Sequence, residues 1–332
     1  MRQRTHIRGG AVRVLLTAAM AGALAAGCTS GPGPDQDGRA PAPATPTRAP
    51  ETRDPGGEPT ATGSVLAVKV DNVGAARPQT GLDAADVVYA EPVEGGLSRL
   101  MALYATRLPA AVGPVRSARE SDLELLRQFD RPTLAFSGAQ HKLLPLIDRA
   151  PLRAEPADES SDAYGRDADR PAPHNLFLHP ARLLPAPAGR AALTTGFRYG
   201  DAPAGGRPTA SRTVRYPAAS FGVTWSPERD RWLVSLDGTP ATTSDGERLA
   251  PATVVVQHVR VRDSAFHDFL GNASPYVESV GSGSAEVLRD GRSLAARWKR
   301  GAAADGTAFT AEDGTPMNFA KGQVWVVFAA TE

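Results

Sequence analysis

The chain has 332 residues, 41% of them hydrophobic and 22% charged, which describes a soluble globular protein long enough for two ordinary domains rather than a membrane-embedded or disordered one. Its 37 Lys and Arg against 36 Asp and Glu leave a formal net charge of +1, so no global field draws in nucleic acid. A single cysteine, Cys28, excludes an intrachain disulfide and a cysteine-ligated metal site.

Arg2, Arg4, Arg8 and Arg13 precede an apolar segment over 14–26 that is too short to span a bilayer, and Gly27-Cys28 follows. Leu24-Ala-Ala-Gly-Cys28 resembles a bacterial lipobox, with Ala25 three residues before the cysteine. We expect 1–28 to be a lipoprotein signal peptide and Cys28 to carry the lipid. The plainer alternative is a secretory signal with an incidental cysteine. The expected location is the outer face of the cytoplasmic membrane. Residues 29–63 are rich in Pro, Gly, Ala and Thr without apolar periodicity, and predict a disordered tether.

The run 65–70 reads as the first strand, with further strands near 86–92 and 99–105. Ser121 three residues before Glu124 has capping-box spacing, and Leu123, Leu125, Leu126 and Phe129 supply an apolar helix face. A strand over 133–136 follows, then a short helix over 141–147 weakened by Pro145. The polar stretch 151–173 reads as an exposed loop, and the apolar residues of 176–184 as a short strand and helix. This alternation predicts an α/β (or α+β) N-terminal domain over 64–200 with a mainly buried sheet. The Ala-, Gly- and Pro-rich stretch 186–213 marks the boundary. A β-rich C-terminal domain is predicted over 214–330: a hairpin about 227–230, a long strand over 253–261, a hairpin turning at Asp290-Gly291, and a strand over 324–328.

The stretch 71–119 concentrates polar residues and glycines at the ends of buried strands, where binding groups usually sit. The candidate ligand-binding residues are Asn72, Arg77, Gln79, Glu91, Glu94, Arg99, Arg116, Ser117 and Arg119, with His174 and Asn175 between proline and an apolar pair. Converging arginines can grip a phosphate or carboxylate through forked donors, and Gly95, Gly96 and Gly113 let backbone N–H groups approach an anion. The alternative is that the arginines pair with Asp83, Asp86, Glu91 and Glu94 and hold the loops. Glu91 and Glu94 stand three apart, on opposite faces of a strand, so paired-carboxylate chemistry needs a bulge at Pro92. Either can instead serve as a lone ligand of Mg²⁺ or Ca²⁺. Ser117 has His174 or His141 as a base but no nucleophile elbow around it. His258 and His267 read as structural, and the four tryptophans as packing. No resident metal site is predicted.

The segments ARPQTGLDAADVVYAEPVEGGLSRLMALY, GPVRSAR, APHNLF and GSGSAEVLRDGRSLAARWKR, followed by TAFTAEDG and GQVWVVF, resemble the YerB-type lipoproteins. That family pairs N- and C-terminal domains of unknown function, numbered 3048, and the likeness runs from about residue 65 to 329. It implies an envelope lipoprotein and no activity. Three functions therefore stand open. The first is binding of an anionic envelope polymer or precursor. The second is a Mg²⁺-dependent phosphotransferase or hydrolase, since the order of strands and arginine loops distantly resembles the LytR–CpsA–Psr enzymes. The third is a scaffold engaging an envelope protein partner through the C-terminal strands. The only partners expected in every case are the membrane, through Cys28, and no nucleic acid.

Overall fold

The computed structural model describes residues 63–268 and 271–331. The leader, Cys28 and the tether up to residue 62 lie outside the described residues. Strands dominate, as the sequence predicts, and helices are few and short.

β1 (Leu66–Asp71), β2 (Val87–Pro92) and β3 (Ser98–Tyr104) form the centre of an 11-stranded mixed sheet. β1 and β3 are antiparallel, with Asp71 opposite Arg99, and β2 and β3 are antiparallel, with Glu91 opposite Arg99. These strands are buried on both faces, which is why they read as nearly continuous apolar runs rather than alternating ones. Beyond β1 come β4 (Thr133–Phe136) and β5 (Arg153–Pro156), both parallel. On the other side β2 pairs in parallel with Val324–Ala330, which pairs in parallel with Thr253–Val259. The antiparallel hairpin of Gly281–Arg289 and Arg292–Arg300 continues the sheet outward. Both halves of the chain thus share one sheet.

Two layers cover it. On one face Val68, Val88, Leu100 and Tyr104 pack against Phe221, Trp232, Val234 and Leu236 of a four-stranded antiparallel sheet. On the other face Ala67, Tyr89, Met101 and Leu103 meet Leu125, Leu126 and Phe129, at and just beyond helix α1 (Glu120–Leu126), and Ile147 of α2 (Leu144–Arg149). Because side chains alternate along a strand, Lys69, Asp71, Glu91 and Arg99 point to this second face. Trp232, Trp298 and Trp325 are buried as packing residues.

Several local expectations are corrected. α1 begins at Glu120 with Arg119 at its cap, and the Asp122 carboxylate accepts the Arg119 N–H at 2.7 Å. Ser121 lies inside the helix, and Glu124 reaches instead to the C-terminal half, where Tyr276 Oη and the Ser279 and Val280 N–H groups donate to it. Pro145 sits in the first turn of α2, where its missing N–H costs nothing, so it starts the helix rather than weakening it. The stretch 151–173 contains β5 and the strand Tyr164–Arg166, which pairs with Leu176–Leu178. Within 176–184 the strand Leu176–Leu178 forms, but the expected helix is only the 3₁₀ turn Pro180–Arg182. The Asp290-Gly291 hairpin forms as expected, both residues taking positive φ (51° and 69°).

At its far end α1 is tied down by Arg300. This guanidinium is buried and donates to the carbonyls of Glu124, Leu125, Ala303 and Asp305, and to Ser279 Oγ. It adds donors to carbonyls of the last turn of α1, of which Glu124 also accepts the Arg127 N–H and Leu125 also accepts from Gln128 Nε2.

Candidate functional site

The ends of β1, β2 and β3 carry a row of charges abreast on one face: Asp71, Arg99 and Glu91. The row divides. Glu91 turns inward to Lys69, whose ammonium also meets Asp122 Oδ1 at 2.6 Å, and all three groups are buried. Burial pushes the Glu91 carboxyl up to about 8, against the pull of Lys69. Burial also works against the Lys69 charge, but Asp122 and Glu91 outweigh it and hold the ammonium above its usual range. Two carboxylates and one lysine in a dry site keep a proton, since a second uncompensated charge there is costly. Asp122 links this triad to α1 by holding the Arg119 N–H.

Asp71 and Arg99 turn to an open cleft of about 740 Å³, lined also by Glu94, Arg116, Ser117, Arg119, Glu120 and His174. Within it Arg119 forks onto Glu94, with Nε to Oε1 at 2.5 Å and Nη2 to Oε2 at 2.8 Å, and Ser274 Oγ donates to the same carboxylate. Burial opposes the Glu94 charge, but the Arg119 fork and Ser274 hold its carboxyl below the usual range. Glu94 stands on the tight turn Glu94–Gly96, where Gly95 and Gly96 take φ of 68° and 70°, a conformation that favours glycine. A Cβ at Gly96 would also lie 2.6 Å from Pro217. Arg116 Nε pairs with Asp71 Oδ2 at 3.1 Å, and His174 Nδ1 meets the same oxygen at 2.8 Å. No other hydrogen bond joins the His174 ring to the described residues, so its Nε2 stays available on the cleft wall.

Arg99 differs from its neighbours. Its Nη1 reaches the Ser117 carbonyl at 3.3 Å, yet its Nε is buried without a hydrogen-bond partner, and no carboxylate of the described residues lies within ion-pair distance of it. Burial, reinforced by the positive charge of Arg119, brings its guanidinium down to about 10. A cation so placed feels the carboxylates of Glu94 and Asp71, but neither is in ion-pair contact with it.

Of the residues singled out in the sequence, the structure brings Glu94, Arg99, Arg116, Ser117, Arg119 and His174 to the cleft. The others have different places. Asn72 donates to Ser98 Oγ, and Gln79 donates to Asn72 Oδ1 and the Asp71 carbonyl, so both brace the turn after β1. Arg77 donates to the Asn72 and Leu236 carbonyls and pairs with Asp237. Asn175 accepts from Arg166 and donates to the Asp167 carbonyl. Gly113 is packed against Phe177 and bridged to Thr80, and cradles no anion. Sequence reasoning missed Asp71 and Glu120, and the contributions of His267, Asn272 and Ser274 from the other half of the chain. Lys69 carried a signal that went unused, being a charge inside an otherwise apolar strand.

Among the described residues no group of three or more His, Cys, Asp or Glu side chains is placed to hold a metal ion. None of the described helices is long and apolar enough to cross a membrane.

A family model described as the N-terminal domain of a protein of unknown function, DUF3048, matches residues 53–193, and the corresponding C-terminal domain model matches residues 212–326. The "Putative lipoprotein YerB" of Bacillus subtilis (strain 168) is 26% identical over 276 residues, 79% of this chain and 80% of that protein. The crystal structure of YerB protein from Bacillus subtilis matches with a TM-score of 0.65 at 20% identity, covering 80% of this chain and 90% of that one. The fold is therefore shared.

Proposed function

The chain belongs to the DUF3048 family, and from that premise we propose that it is a lipid-anchored protein of the cell envelope that binds an anionic group in the cleft at the ends of β1 and β3. The basic leader, the cysteine at its expected processing site and the similarity to the Bacillus lipoprotein support the anchor. Cys28→Ser is expected to release the protein from the membrane fraction.

The observation that carries the binding reading is Arg99, a largely buried guanidinium with an unmet Nε, set beside Arg116 and Arg119 in a cleft of ligand size. An anion there supplies a counter-charge in direct contact and accepts the orphaned N–H, whereas the neighbouring arginines already have carboxylates in contact. The phosphate or carboxylate of an envelope polymer or precursor is the expected ligand. The test is a thermal-shift titration of the purified chain with inorganic phosphate, acetate and teichoic-acid fragments. Anions should raise the melting temperature in a salt-sensitive way, and the rise should vanish in Arg99→Ala. Absence of any shift would sink the reading.

The Asp71–His174 pair favours a second reading, a hydrolase or transferase acting on the bound ester. A buried carboxylate on Nδ1 orients an imidazole whose Nε2 can then serve as a base. Turnover of a phosphate or carboxylate ester that falls at least about a hundredfold in His174→Ala, with anion binding retained, would establish it. The scaffold reading gains no such support: among the described residues the large exposed hydrophobic is Leu146, on α2 of the N-terminal half.

A further inference from the structure

The cleft holds a second orphan, and it is of the opposite sign. Glu120, in the first turn of α1, has an Oε2 that is buried without a hydrogen-bond partner, just as Arg99 has an unmet Nε. The other acidic and arginine side chains of the cleft have partners, Arg116 with Asp71, Arg119 with Glu94, and Asp268 with the donors of Asn272. Arg99 and Glu120 would pair with each other if they could reach, yet no ion pair of 4.0 Å or less joins them. A donor and an acceptor are therefore held apart on the wall of one cavity, each with an unmet demand.

A ligand carrying only an anion answers half of this. It satisfies Arg99 but adds negative charge to a cleft that already contains the Glu120 carboxylate, and like charges in a partly desolvated site repel. A ligand with an anion at one end and an ammonium at the other satisfies both atoms, its charges separated in the sense opposite and complementary to the protein's. Ammonium groups donate and never accept, which is what a lone carboxylate oxygen requires.

We propose that the ligand of this cleft is zwitterionic, its phosphate or carboxylate on Arg99 and its ammonium on Glu120. The proposal rests on the anion-binding reading above and narrows it. The cleft, at about 740 Å³, is larger than such a head group alone, so the zwitterion is one unit of a larger molecule.

The test compares four probes by calorimetric titration of the purified chain. Phosphoethanolamine and β-alanine carry both charges; ethyl phosphate and propionate carry the same anions without the ammonium. Each zwitterion should bind at least about tenfold tighter than its anionic parent. Whichever pair binds tighter tells whether the anion is phosphate or carboxylate. In Glu120→Gln the tenfold ratio should collapse to about one while binding of ethyl phosphate holds or improves. The wild-type comparison stands whether or not that variant folds. A ratio near one in the wild-type protein, as when water answers both orphaned atoms, overturns the zwitterion and leaves the anion site. So does a preference that survives Glu120→Gln. Failure of all four probes to bind overturns both.

Discussion

Two sets of charged side chains sit side by side, each drawn from one face of the central strands and from the first turn of α1. Lys69, Glu91 and Asp122 are a closed set: each finds its partner within the chain, and no water or ligand is needed. Arg99 and Glu120 are an open set, equally drawn out of solvent at their key atoms but left without partners. The chemistry of the groups is alike, so the difference lies in completion. A complete buried network fixes the strand ends and, through Asp122, the first turn of α1 and the backbone of Arg119. An incomplete one costs stability.

That contrast can be broken at its strongest point first. Lys69→Met leaves two acidic groups buried without their cation, and should cost about 3–5 kcal/mol in urea denaturation; adding Glu91→Gln and Asp122→Asn should recover most of it. If Lys69→Met alone is neutral, the triad is not a closed unit. Next comes pH. The folded-state Glu91 carboxyl, at about 8, lies above its ordinary value of 4.5, so the folded chain binds a proton that the unfolded chain releases. The stabilisation is full below about 4.5, fades as pH rises, and is gone above about 8. Stability should fall by up to about 1.4 kcal/mol per pH unit across that window, and Glu91→Gln should flatten the slope.

The open set predicts the reverse pattern. Arg99→Ala should weaken phosphate binding at least about tenfold, with an unfolding midpoint unchanged or raised, because it removes an unsatisfied buried group. A large loss of stability would reclassify Arg99 with the closed set. As the lower bound on what a charge can matter here, Arg107→Ala breaks an exposed ion pair with Asp83 and should change stability by less than about 0.5 kcal/mol.

How far the sequence foretold these features follows from where the information lies. β1, β2 and β3 were legible because strands buried on both faces must be apolar throughout, and the 290–291 turn because only a few dipeptides suit its positive φ. β5 was not, since an edge strand carrying Arg153 and Glu155 reads like a polar loop. The α1 cap was misplaced because Ser121-x-x-Glu124 satisfies the capping pattern locally, while Glu124 is claimed by Tyr276 and Ser279 more than 150 positions away. Arg116 and Arg119 lie near β3 in sequence, so their meeting with Arg99 could be guessed. Lys69 and Glu91 could not be paired in advance, because register decides which side chains face each other and register has no local signature in these strands. Asp71, at the end of the first apolar run, carried no local sign of its role, although it anchors both Arg116 and His174.

The position of Val324–Ala330 has a consequence for the order of assembly. This strand, the last of the described chain, lies between β2 and Thr253–Val259 and joins the two halves of the sheet. A nascent chain would present the edge of β2 unpaired until more than 230 further residues had been made. Pairings of such long range are slow to form, and an unpaired apolar edge invites association with the wrong partner meanwhile. A premature stop near the C-terminus should therefore be far more damaging than the few residues it removes would suggest.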